Sequence, residues 1–206
     1  MRVGVGLLAR LHASLNEPLA YAGLMRALGA EKCLTRLVRE HFHIRPGDSV
    51  LDAGCGPGLL YPYLPSVAYL GLDIDAQSIA HARTRHPAAR FEVCDLTQGA
   101  LLCRADVAVA IGVLHHLSDP QVRAVLGLAE RTLRLGGRLV TVDPAFDPGQ
   151  HRVAALLARA DRGRFVRSGQ AYRELARAVF PNAALTIRHD LLHVPYTHAI
   201  VTCRMG

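Results

Sequence analysis

Lysine is nearly absent from this sequence: Lys32 is the only one among 24 Lys and Arg residues. The formal net charge is +7, a balance that would suit an anionic partner if the charge were gathered in one place. The arginines are instead scattered along the chain. Such a skew is what a GC-rich genome produces without selection for binding, so the charge gives little support to a nucleic-acid partner. Long apolar runs are also missing, and none reaches the roughly 18 residues of a membrane-spanning helix. The opening stretch, Met1 to Ala9, has some likeness to a secretion signal, but Arg10 and His12 interrupt it and no cleavage site follows. A cytoplasmic protein without membrane contact is the expectation.

Cysteine motifs are missing as well. Cys33, Cys55, Cys94, Cys103 and Cys203 are odd in number and show neither a CxxC nor a Cys/His zinc spacing. No metal is expected, and the thiols should be free and buried. No internal repeat, low-complexity tract or Gly/Ser linker divides the chain. What is present is 206 residues, half of them hydrophobic, enough for one self-sufficient core and too apolar for global disorder. One domain over 1–206 is expected.

Residues 1–45 read as a helical cover, with Leu24, Leu28, Leu34, Leu37 and Val38 as an imperfect stripe that ends at Arg45-Pro46-Gly47-Asp48. Strand and helix signals then alternate. Strands are predicted at 49–52, 67–73, 90–94, 106–112 and 138–142. One helix is predicted at 76–85, with Asp75 as its N-cap. A second carries Val122, Val125, Ala129 and Leu133 on one face and stops at Gly136-Gly137. A last helix at 168–180 precedes strands at 184–192 and 196–204, joined by a short turn around His193-Val194-Pro195. Alternation of this kind implies an α/β fold, a parallel sheet covered on both faces. The short final turn permits only an antiparallel pairing, so one strand near the end should run against the others. The core that binds a ligand is expected over 46–144, a possible lid over 145–167, and the final helix and hairpin over 168–206.

The stretch Val50-Leu51-Asp52-Ala53-Gly54-Cys55-Gly56-Pro57-Gly58 runs from a strand through a glycine loop toward a helix. Glycines let a ligand touch the backbone, and a helix N-terminus attracts a carboxylate or a pyrophosphate. The dinucleotide fingerprint needs a third glycine where Leu59 stands, which opposes a nicotinamide enzyme. Asp52 would repel a pyrophosphate but could hold an ammonium, directly or through water. Asp73 ends the second strand, where an acid accepts from ribose hydroxyls. Asp95 follows the third, where it could accept from an adenine amino group. Amino acid, ribose and adenine together describe S-adenosylmethionine.

These residues resemble the class I S-adenosylmethionine-dependent methyltransferase family. VLDAGCGPG (50–58), GLDID (71–75), VCDL (93–96), AIGVLHHL (110–117) and LRLGGRLV (133–140) are similar to five of its motifs in order. The resemblance covers roughly 45–145. It implies a three-layer αβα sandwich on a mostly parallel seven-stranded sheet of order 3-2-1-4-5-7-6 with an antiparallel C-terminal strand. It also implies that Gly54 and Gly56 contact the methionine part, Asp73 the ribose, and Asp95 and Leu96 the adenine, with Ile111 and Gly112 as the floor. Cys55 and Ile74 lie within the same motifs, Cys55 as a small loop filler and not a nucleophile. S-adenosyl-L-homocysteine would be the product.

Methyl transfer from a sulfonium needs alignment and, for some acceptors, removal of a proton. His115 and His116 follow the fourth strand at the carboxyl edge of the sheet, and either is a candidate base or orienting group. Tyr21, in the N-terminal helical region, could cover the cofactor, and Arg162, Arg164, Arg167, His189, His193, Tyr196 and His198 are weaker candidates on the acceptor side. After the fourth strand the Asn/Asp-Pro-Pro-Tyr/Phe of amino-methylating nucleic-acid enzymes is missing, and there is no Pro-Cys pair for attack on a pyrimidine. A small-molecule acceptor is the leading expectation. A macromolecular acceptor and cofactor binding without turnover are the alternatives.

Overall fold

The computed structural model describes residues 29–98, 103–161 and 163–206. Strands are β1 (Ser49–Ala53), β2 (Ala68–Asp73), β3 (Arg90–Val93), β4 (Ala105–Ile111), β5 (Leu133–Phe146), β6 (Arg167–Ser168), β7 (Ala184–Arg188) and β8 (His198–Arg204). Helices are α1 (Ala30–Leu37), α2 (Ala76–Arg85), α3 (Asp119–Thr132), α4 (Arg152–Arg159) and α5 (Gly169–Arg177). The sheet order is β3-β2-β1-β4-β5-β8-β7, with β6 paired to β5 off this path. Without the two-residue β6, this is the expected order 3-2-1-4-5-7-6. β1 to β5 run parallel, and β8 is antiparallel to both β5 and β7.

Alternation along β1 explains the layers. Leu51 and Ala53 point to one face, into a core with Val125 and Leu126 of α3 and Tyr172 and Leu175 of α5. Val50 points to the other, into a core with Leu34 and Leu37 of α1 and Ile79 and Ala82 of α2. A strand buried on both faces reads as a continuous apolar run, as 107–111 does. Asp75 caps α2 as expected, accepting from the N–H groups of Gln77 (3.2 Å) and Ser78 (3.0 Å). α1 continues through a π-helical turn, Val38–Phe42, and stops where His43 turns left-handed at φ 50°.

Three boundaries depart from expectation. Gly136-Gly137 does not end α3, which stops at Thr132 with Leu133 already extended. The glycine pair lies inside a long β5, where the β4–β5 register shifts between Ala105 and Val107. A Cβ on Gly137 would stand 2.8 Å from Arg134 O and 3.1 Å from Asp106 O, so backbone approach is what requires glycine there. The last two strands are joined by a loop over 189–197, not by a short turn. That loop is anchored by buried Leu191 and by a 3.1 Å contact between His189 Nδ1 and Thr197 Oγ1. Third, 145–167 carries α4 and is bracketed by the end of β5 and by β6.

Among the described residues no helix is long and apolar enough to cross a membrane. Cys33, Cys55 and Cys203 are buried, Cys94 and Cys103 half-buried, and all five are free.

Candidate functional site

The carboxyl ends of β1 to β4 converge on the glycine loop. Gly54, Gly56 and Gly58 all have positive φ, at 81°, 51° and 75°. Gly54 and Cys55 donate to Leu72 O at 2.7 and 2.9 Å, which ties the loop to β2. A Cβ on Gly54 would meet Val113 Cγ2 at 2.4 Å, whereas nothing stands within 4 Å of the same position on Gly56. One glycine is therefore needed for packing, and the other leaves a bare backbone face open to a ligand.

Asp73 braces this loop. Its Oδ2 accepts from Gly56 N at 2.8 Å and its Oδ1 from Asp75 N at 2.9 Å. Asp95 accepts from Thr97 N (2.9 Å), Thr97 Oγ1 (2.7 Å) and Gln98 Nε2 (3.1 Å), which hold its carboxyl below the usual range. Beside these acids the apolar side chains of Ile74 and Val93 are 68 % and 52 % exposed. Val93 pairs with Asp73 in the β2–β3 register. Bare loop, paired acids and uncovered apolar surface fit a ligand with charged, hydroxylated and planar parts. Leu96 is buried nearby, and Ile111 and left-handed Gly112 (φ 67°) end β4.

Asp52 is not open to the loop's outer surface. It is 2 % exposed and accepts from Tyr69 Oη at 2.7 Å. Burial pushes its pKa up; the Tyr69 hydrogen bond opposes this, and the Asp73 charge adds to it, leaving about 7. Burial also pushes the Cys55 thiol up, as suits a loop filler. Tyr69 was not singled out in the sequence because a strand tyrosine reads as core. Only the register, with Val50 opposite Tyr69, shows that it shares a face with Asp52.

His115 and His116 part company. His116 is exposed, its ring 4.0 Å from that of His115. His115 is buried between two carboxylates: Nδ1 is 2.9 Å from Asp143 Oδ1, and Nε2 is 3.2 Å from Asp161 Oδ1. Burial lowers its pKa, but the two carboxylates outweigh burial and raise it to about 9. Neither acid was a sequence candidate. Asp143 leaves a trace, an acid interrupting the apolar run of β5; Asp161 leaves none. Of the weaker candidates, Tyr196 Oη donates to Asp161 Oδ2 at 2.9 Å. His198 is buried, with its pKa pushed down by burial to about 4. His193 packs on Gly29 at the start of α1. Arg167 is neither a solvated arginine nor placed for a ligand: it bonds Asp119 Oδ1 (2.6 Å), Leu117 O (2.7 Å) and Leu114 O (3.0 Å), fastening β6 beneath the end of β4. Arg164 is exposed. Tyr21 and Arg162 lie outside the described residues. Among the described residues no cluster of three or more His, Cys, Asp or Glu could hold a metal.

Comparison with known proteins agrees with this geometry. Residues 50–137 match the model of a methyltransferase domain. An uncharacterised 37.1 kDa protein in transposon TN4556 of Streptomyces fradiae is 30 % identical over 184 residues, 80 % of this chain and 51 % of that protein. A trans-aconitate 2-methyltransferase of Methylobacterium nodulans is 36 % identical over 99 residues, 46 % of this chain and 38 % of the relative. The chain thus spans about half or less of these relatives. Human N-acetylserotonin methyltransferase, solved with S-adenosylmethionine, superposes with a TM-score of 0.71 at 17 % identity, over 95 % of this chain and 58 % of that one. Residues 50–137 thus match a methyltransferase domain, and the motifs and sheet order resemble those of the class I S-adenosylmethionine-dependent methyltransferase family.

Proposed function

We propose that the protein transfers the methyl group of S-adenosylmethionine to a small-molecule acceptor. The observation that carries this reading is the row of acids Asp52, Asp73 and Asp95 at or just after the ends of the adjacent strands β1, β2 and β3, with Asp73 bonded to the open backbone of Gly56. In this reading Gly54, Cys55 and Gly56 face the methionine part, with Asp52 behind them. Asp73 takes the ribose hydroxyls, Ile74 covers the adenine, and Asp95 and Leu96 meet its edge. Ile111 and Gly112 form the floor. The cofactor supplies a methyl group already activated on a sulfonium, so the protein's task is alignment and exclusion of water. His115 orients the acceptor, His116 flanks its approach, and 145–167 acts as a lid over both. Burial of His115 beneath that segment suits an enclosed acceptor. The trans-aconitate relative also acts, by its name, on a small molecule.

Calorimetric titration with S-adenosylmethionine and, separately, S-adenosylhomocysteine tests the cofactor site, and saturable micromolar binding is expected. Acceptors are then screened by mass for the gain of one methyl group. No binding by folded protein overturns the proposal. Binding without product across small-molecule, RNA and peptide pools would turn it toward a non-catalytic role.

A further inference from the structure

Two donors from different parts of the fold hold the two oxygens of a single carboxylate. His115 Nε2, after β4, faces Asp161 Oδ1 at 3.2 Å, and Tyr196 Oη, before β8, donates to Asp161 Oδ2 at 2.9 Å. Asp161 comes from neither of those elements but from the segment between α4 and β6. We infer that this pair of donors is the acceptor site, that the acceptor is a carboxylate, and that Asp161 stands in its place in the free protein. This rests on the methyltransferase reading above and names its substrate class.

The chemistry of the ring supports a bound anion. An ionised carboxylate only accepts hydrogen bonds, so an imidazole with a carboxylate at each nitrogen donates from both and is an imidazolium. Asp143 belongs to β5 and is 1 % exposed, with its Oδ1 accepting from the His115 ring and from His115 N at 3.2 Å. Its Oδ2 has no hydrogen-bond partner among the described residues. Asp143 supports the charge on the ring, and a carboxylate bound in place of Asp161 would keep the second proton at Nε2 as Asp161 does. Among the described residues, the other titratable groups near the ring are His116, Tyr196, and Tyr172 of α5, which lies behind Asp143 and donates to Pro144 O at 3.2 Å. A ring already protonated at Nε2 cannot remove a proton from a neutral hydroxyl or amine. It can hold an oxygen that needs no deprotonation.

Placement agrees. His115 Cε1 stands 3.6 Å from where a Cβ on Gly112 would lie, so the ring adjoins the proposed cofactor floor. The segment carrying Asp161 reaches the ring only because Gly163 has no side chain: a Cβ there would stand 2.0 Å from His115 Cδ2. Lifting that segment withdraws Asp161 and leaves the His115 and Tyr196 donors for an incoming carboxylate. One of its oxygens then bonds to the methyl carbon while the carbon–sulfur bond breaks and its electron pair stays on sulfur. The products are a neutral methyl ester and a neutral thioether, and no proton is transferred. His115 and Tyr196 are in this scheme catalytic residues that donate, and Asp143 is a positioning residue.

The test uses acetate as a minimal carboxylate and acetamide as its neutral counterpart, with S-adenosylhomocysteine bound and again without it. Asp161→Ala vacates the cradle. Acetate should bind this variant saturably and shift the His115 ring resonances, acetamide should not, and the wild type should respond to neither. Adding Tyr196→Phe should weaken acetate about tenfold or more, the loss of a hydrogen bond to a charged group. No acetate response, or an equal response to acetamide, overturns the inference. Should Asp161→Ala fail to fold, nitrogen-15 spectra of the wild type decide: both His115 nitrogens protonated at pH 7 is expected, and a neutral tautomer overturns it. Loss of S-adenosylhomocysteine binding, by contrast, would strike the proposed function and leave the acetate result intact.

Discussion

Asp73 bonds the loop at Gly56 and the start of α2 at Asp75 with its two oxygens, so it shapes the cofactor site even before any ribose arrives. Asp73→Ala should weaken S-adenosylhomocysteine binding by about 1–3 kcal/mol, read by calorimetry. Unchanged affinity in a folded variant would move the ribose contact elsewhere, with Asp75 next in line. Asp52 is expected to act through its charge. Its pKa near 7 lies above that of an unfolded aspartate, so it is largely neutral at pH 6 and largely ionised at pH 8. Affinity for the ligand ammonium should rise across that interval. Tyr69→Phe, which removes a hydrogen bond favouring the ionised form, should move the midpoint upward, and a pH-independent affinity would detach Asp52 from the ammonium. His115 runs the other way for stability. Its folded pKa of about 9 exceeds the unfolded value, so the stabilisation is complete below pH 6.5 and is lost as pH rises through 9. The order of magnitude is about 3 kcal/mol, counted once for the ring and its carboxylates. Urea midpoints should fall from pH 6 to pH 10 in the wild type and much less in Asp143→Asn. At this scale the Asp75 cap was legible, because its partners Gln77 and Ser78 lie beside it in sequence, and the motif acids were legible by their places at the strand ends. The His115 cradle was not: Asp143, Asp161 and Tyr196 come from three separate segments and meet only when the sheet edge is built.

At the scale of elements, Arg167 is a principal tie of β6 and the segment before it. Arg167 bonds two carbonyls of the turn after β4 and the carboxylate of Asp119. Arg167→Ala leaves those carbonyls without their donor and should cost about 2–3 kcal/mol. Amide exchange should quicken in 147–168 while β1 to β4 stay protected. Uniform loss of protection would make Arg167 a part of the global core and not a fastening of this segment. Helix and strand identities were legible wherever the apolar period was clean, as in α2, whose bounds match. The Gly136-Gly137 pair misled because a glycine pair after an amphipathic run reads equally as a helix stop or as a strand bulge. Only the approach of Asp106 O and Arg134 O to Gly137 separates the two. The loop over 189–197 was underestimated because its apolar residues, Leu191 and Leu192, continue the strand pattern although they pack toward α1 and α2.

For the whole molecule, the sheet order was legible by likeness and not by physics. Alternating strands and helices announce parallel pairing, but nothing in the periodicity says that β4 rather than β3 lies beside β1. The order has a consequence in time. β7 has one partner, β8, and β8 lies between β7 and β5. As the chain is made, β7 emerges before β8, its partner among the described residues, and β5 waits with one edge bare over residues 138–144. Pairing across such separations is slow to form. In pulse-labelled refolding, the amides of β7 and β8 should gain protection together, after those of β1 and β2. Until they do, the bare edge of β5 is the place where two unfinished copies could join, so yield on refolding should fall as protein concentration rises.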